Sequence, residues 1–156
     1  MGNLLSLTTF IPLVGAVILA LDVPITNNTE GISEAAGDRT YVVSLVVTAV
    51  IAAPFVEEIV FRGVVMRGLM SRLPVVATIA LQGVLFGVAH IDPVRGAGNI
   101  GLALVLSSVG IAFGGGAYLL RRIGPTIVAH AIFNGMVLLL VLTRVAERLQ
   151  DSASLA

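Results

Sequence analysis

Long stretches of this chain carry almost no polar residue, and short polar clusters divide them into about five segments. Residues 4–21 are apolar, and residues 22–39 then turn to Asn, Thr, Glu, Gly, Ser and Asp, an exposed acidic loop. A second apolar run extends from Tyr41 through Pro54 to about Leu69, longer than the ~20 residues that cross a bilayer perpendicularly. Pro54 is expected to break or kink it. Arg67 and Arg72 mark an aqueous boundary, after which Pro74 opens a third helix that runs to about His90. Residues 91–99, with Asp92, Pro93, Gly96 and Gly98, read as a turn. A fourth span covers about residues 100–120, with Gly114, Gly115 and Gly116 as close-approach positions or a point of local irregularity. Arg121, Arg122, Gly124 and Pro125 form the next turn, and a fifth span covers residues 126–142 before a short polar tail.

The pattern predicts an all-α fold, a polytopic membrane helical bundle of about five transmembrane helices. Its expected parts are an anchor helix with the acidic loop over residues 1–40, a core over 41–143 and a tail over 144–156. Residues 4–21 lack the basic n-region and small-residue cleavage site of a signal peptide, so they are read as an anchor. Composition agrees: 57% of the 156 residues are hydrophobic, 12% are charged and the mean hydropathy is +1.04. The lipid bilayer is the expected solvent and partner. Arginines 67, 72, 121 and 122 place their loops in the cytoplasm by the positive-inside rule, although Arg144 and Arg148 of the mixed tail fit that orientation poorly.

Charge and cysteine content narrow the chemistry. The formal net charge is zero, every cationic side chain is Arg, and no basic cluster is interleaved with aromatics, so no nucleic acid is expected as a partner. With no cysteine, disulfides, thiolate metal sites and a Cys nucleophile are excluded. Water, Ser and Thr remain as nucleophiles.

Six polar residues interrupt the apolar segments: Glu57, Glu58, Arg62, His90, His130 and Asn134. Ionisable groups in a bilayer cost roughly 2.5–3.5 kcal/mol each by insertion scales, so they persist where they pair, line a cavity or do chemistry. Glu58 and Arg62 are four apart and can pair along one helix face. Glu57 points about 100 degrees away, so the two acids can divide structural from catalytic work. His130 and Asn134, also four apart, stack on one face of the fifth span. Each motif alone has a plainer reading, as a buried ion-pair clamp, an interfacial histidine or an interhelical hydrogen bond. Together they supply an acid pair, two imidazoles and a carboxamide, the groups needed to activate water and stabilise an oxyanion.

The motifs EExxxR (Glu57, Glu58, Arg62), FxxxH (Phe86, His90) and HxxxN (His130, Asn134), in this order on hydrophobic helices, resemble the CAAX protease and bacteriocin-processing (CPBP, Abi/Rce1-like) family of intramembrane proteases. The resemblance covers roughly residues 42–142. It implies helices enclosing a polar intramembrane cavity in which a peptide bond of a membrane-associated protein or peptide is hydrolysed. By matching positions, Glu57 is the expected general base, His90 helps to hold the water, and His130 and Asn134 polarise the scissile carbonyl. Glu58 and Arg62 shape and neutralise the motif, with Phe86 packed beneath His90. No cofactor is expected. Zinc is the alternative, with Glu57, His90 and His130 as its ligands, although the chain lacks the HExxH zinc signature.

Members of that family commonly have six to eight membrane helices, and only one span precedes the EExxxR helix here. The chain is then either compact or completed by a homo-oligomer or partner subunit. The expected location is a bacterial cell membrane. Two other classes stand beside the peptidase: a non-catalytic membrane protein for bacteriocin immunity or scaffolding, and a transporter with Glu57 and the histidines as a relay. The complete motif set argues against the first, and the lack of further ionisable residues in the spans argues against the second.

Overall fold

The computed structural model describes residues 37–91 and 98–143; the expected anchor, acidic loop and tail, and most of the turn at 91–99, lie outside them. The described residues are helical, without strands, and fall into two compact units. The first contains Glu57–Thr126; the described part of the second is residues 37–56 and 127–143.

Helix α1 is a single helical run, Arg39–Met70. It starts where Asp38 accepts backbone N–H bonds from Thr40 (2.8 Å) and Tyr41 (3.2 Å), an N-cap that satisfies two orphan donors. Pro54 does not end the run. Instead the helix widens to π geometry over Val47–Ala52, returns to α over Ala53–Glu58, widens again over Ile59–Val65 and closes as α over Met66–Met70. Proline removes one N–H and crowds the carbonyl four residues earlier. In the π turn the Ala53 N–H reaches Thr48 O, one residue further back than an α-helix would take it. That register passes the missing donor to the Ala49 carbonyl.

In the first unit α2 (Val75–Val88) begins at Pro74 and packs on α3 (Gly98–Leu120). At 14 residues α2 is about 21 Å long, shorter than the span expected from the sequence. Its buried face is Thr78, Gln82, Gly83, Phe86 and Gly87, while Val76, Val84 and Val88 are exposed. Polar and small groups inside with branched aliphatics outside reverse the soluble pattern, as expected when lipid surrounds the helix. The packing works because both helices present glycines four apart, Gly83 with Gly87 and Gly110 with Gly114. A Cβ on Gly87 would stand 2.6 Å from Ser107 N, and one on Gly110 would stand 2.9 Å from Gly83 O. These backbones approach only because no side chain intervenes. Gly114, Gly115 and Gly116 sit in regular α-helix, so the local irregularity expected there does not occur.

In the second unit the N-terminal part of α1 and α4 (Gly124–Leu142), from Ile127 onward, carry an apolar surface. Ile51, Phe55, Val128, Ile132 and Leu139 are all exposed, and a groove of about 520 Å³ is lined by Val50, Phe55 and Ile132 among other apolar residues. Among the described helices, α1, α3 and α4 are long and apolar enough to cross a membrane. These spans, with the inverted burial, make the chain a membrane protein.

Candidate active site

The first unit brings Glu57, Glu58, Arg62, Phe86 and His90 together; His130 and Asn134 belong to the second unit. Glu58 and Arg62 pair as their four-residue spacing implies. Arg62 Nη1 donates to Glu58 Oε1 at 2.7 Å, and both side chains are fully buried. Arg62 Nη2 donates to the Gly110 carbonyl at 3.0 Å, and its guanidinium lies 4.8 Å from the Phe86 ring and 5.5 Å from that of Phe113. A buried charge needs a counter-charge and hydrogen bonds to offset lost solvation, and Arg62 has both.

Phe86 links this buried pair to the more open part of the site. Its ring meets Phe61 edge-on at 5.1 Å and His90 at 4.7 Å. His90 follows the last turn of α2, where its amide bonds Gly87 O and leaves the Phe86 carbonyl to its own ring, with Nδ1 2.7 Å from Phe86 O. A carbonyl only accepts, so the contact puts a proton on Nδ1, and in the neutral tautomer this leaves Nε2 as an acceptor. Nε2 lies 3.7 Å from Glu57 Oε2, and both side chains are about a quarter exposed. That separation exceeds a direct N–H···O bond. Within the first unit, the described His, Asp and Glu side chains form no group of three placed to hold a metal ion. Of the three expected zinc ligands, Glu57 and His90 are in this unit and His130 is in the other.

In the second unit His130 is buried on α4, and Asn134 Nδ2 donates 2.8 Å to Ala49 O, the carbonyl deprived of a partner by Pro54. One hydrogen of the Asn134 carboxamide therefore repairs the proline defect in α1.

The family model described as type II CAAX prenyl endopeptidase, Rce1-like, matches residues 39–136, more than half the chain and inclusive of all three motifs. The chain belongs to this Rce1-like family. Membership places it among membrane peptidases. No curated protein matches it, and no solved structure does.

Gln82, a residue outside the three motifs, shares the buried surroundings of Arg62. It is fully buried, and its Nε2 donates to Gly110 O at 2.8 Å, the carbonyl that also accepts from Arg62, and to Ile79 O at 3.1 Å. Among the described residues neither Gln82 Oε1 nor Arg62 Nε has a hydrogen-bond partner. The available signal was the repeat of Gln82, Phe86 and His90 at four-residue intervals, which puts a carboxamide on the same face as the FxxxH motif.

Proposed function

We propose that the chain is an intramembrane endopeptidase that hydrolyses a peptide bond of a membrane-associated protein or peptide with water activated by Glu57 and His90. The observation that carries this reading is the Glu57 Oε2 to His90 Nε2 gap of 3.7 Å, with His90 Nδ1 held by Phe86 O. The proposed nucleophile is one water molecule held between the Glu57 carboxylate and the His90 ring, giving one hydrogen to each. Glu57 takes a proton from the water as its oxygen bonds to the scissile carbonyl carbon. The tetrahedral oxyanion collapses with cleavage of the C–N bond, and Glu57 returns the proton to the departing amine.

His130 and Asn134 take the part of oxyanion donors. Glu58 and Arg62 hold the motif in place. We further assign helices around a polar cavity, about five in all with residues 4–21 as the anchor, and a homo-oligomer or partner subunit where one chain does not enclose it. Activation of water by the carboxylate alone is favoured over zinc held by Glu57, His90 and His130, because the chain lacks the usual paired zinc histidines.

The test is hydrolysis of a membrane-peptide library by purified protein in detergent, wild type beside Glu57→Gln, each with and without a zinc chelator. Turnover that survives chelation and falls at least about a hundredfold in the variant is expected. Loss on chelation would replace the carboxylate mechanism with the zinc one, and no turnover by folded wild type would overturn the peptidase reading.

A further inference from the structure

The strongest positive patch in the described residues lies apart from the Glu57–His90 pair. At the C-terminal ends of α1 and α3 a cavity of about 470 Å³ is lined by Arg62, Arg67, Met66, Tyr118, Arg121 and Arg122, among others. Arg62 is bound to Glu58, and Met66 is buried. Arg67, Arg121 and Arg122 are exposed, and among the described residues none of their side chains has a hydrogen bond or ion pair. No carboxylate lines the cavity. Three cationic forks around one concave space are the donor set for a phosphoryl group, which arginine binds bidentately.

Arg121 adds a separate observation. It is the sole non-glycine residue with positive φ among those described, at 53°, immediately after α3 ends at Leu120. Glycine is the usual residue at this left-handed position because a Cβ is disfavoured there. A strained arginine thus stands where glycine would be easier, and its side chain lines the cationic cavity.

The source of the phosphoryl group follows from position. The cavity lies where two helices of membrane-spanning length and composition end, with Leu119 and Leu120 exposed on the adjoining turn. We propose that this cavity binds the phosphate of an anionic phospholipid headgroup through Arg67, Arg121 and Arg122, with the acyl chains lying along the apolar end of α3. Such a site fixes the ends of α1 and α3 at the membrane surface, one side chain away from the Arg62–Glu58 pair. It is independent of the peptidase reading.

Native mass spectrometry of the full chain in detergent, titrated with dioleoyl-phosphatidylglycerol, measures the site directly. Wild type should retain the lipid, and Arg121→Gly should retain it about fivefold less tightly while its unfolding temperature holds or rises, since glycine relieves the positive φ. Arg67→Gln with Arg122→Gln should weaken retention further, and Arg39→Gln with Arg72→Gln, an equal loss of charge outside the cavity, should not. Equal loss in the two double variants would overturn the site in favour of general surface charge. Equal retention of dioleoyl-phosphatidylcholine would overturn the anionic specificity, and displacement of the lipid by millimolar inorganic phosphate would reassign the cavity to free phosphate.

Discussion

Helix α1 contains two π-helical turns, and their causes differ. The turn at Val47–Ala52 lies in the second unit and has a cause written in the backbone: Pro54 lacks an N–H, the hydrogen-bond register slips by one residue, and Asn134 fills the vacancy at Ala49 O. The turn at Ile59–Val65 lies in the first unit and has no proline within it or in the turn that follows. It carries Arg62, whose guanidinium is tied to Glu58 on its own helix and to the Gly110 carbonyl on α3. One distortion is local and repaired by a neighbouring helix; the other is accompanied by tertiary bonds to a buried charge. A single helix thus carries one π turn with a covalent cause and another that coincides with the buried Arg62 and its bonds to Glu58 and Gly110 O.

The sharpest way to break this contrast is to remove the tertiary anchor. Arg62→Ala leaves Glu58 buried without its counter-charge and is expected to cost about 3–5 kcal/mol, read as lost folded yield and a lower unfolding temperature in detergent. Wild-type stability in this variant would show that the buried pair does not hold the first unit. A smaller effect is expected from Gly87→Ala, whose methyl would meet the α3 backbone at Ser107; separating α2 from α3 by that much should cost about 1–3 kcal/mol. The same substitution at Gly68, which lies in helix with nothing within 4 Å, should hold or raise the unfolding temperature.

The smallest effect tests the proline turn by itself. Asn134→Ala should cost about 0.6–1.7 kcal/mol, the range for hydrogen bonds between membrane helices. In a Pro54→Ala background the helix regains its own N–H, so Asn134→Ala should then cost less. The difference in a double-mutant cycle measures the repair. Additive effects would mean that Asn134 does not compensate for Pro54.

Much of this was legible in the sequence, for identifiable reasons. The Glu58–Arg62 pair follows from spacing and from the cost of an unpaired charge in an apolar helix, and the packing of Phe86 on His90 was implied by the family resemblance. Family membership was legible because three motifs keep their order along the chain. The π turns were not, because Pro54 signals only that a bond is lost and not how the backbone absorbs the loss. The shortness of α2 was hidden because its apolar run continues to Ala89, where the backbone tightens into a turn with His90 N–H on Gly87 O. Gln82 was not legible because a lone carboxamide in an apolar helix does not reveal its partner, here the Gly110 carbonyl of α3.

The central claim is that the adjacent glutamates have separate tasks: Glu57 activates water and Glu58 holds Arg62. Peptide turnover and thermal unfolding measured side by side for Glu57→Gln and Glu58→Gln test it most directly. The account predicts that Glu57→Gln loses turnover at an unchanged unfolding temperature, whereas Glu58→Gln unfolds at a markedly lower one. Wild-type turnover in Glu57→Gln, or equal destabilisation by both substitutions, would contradict it.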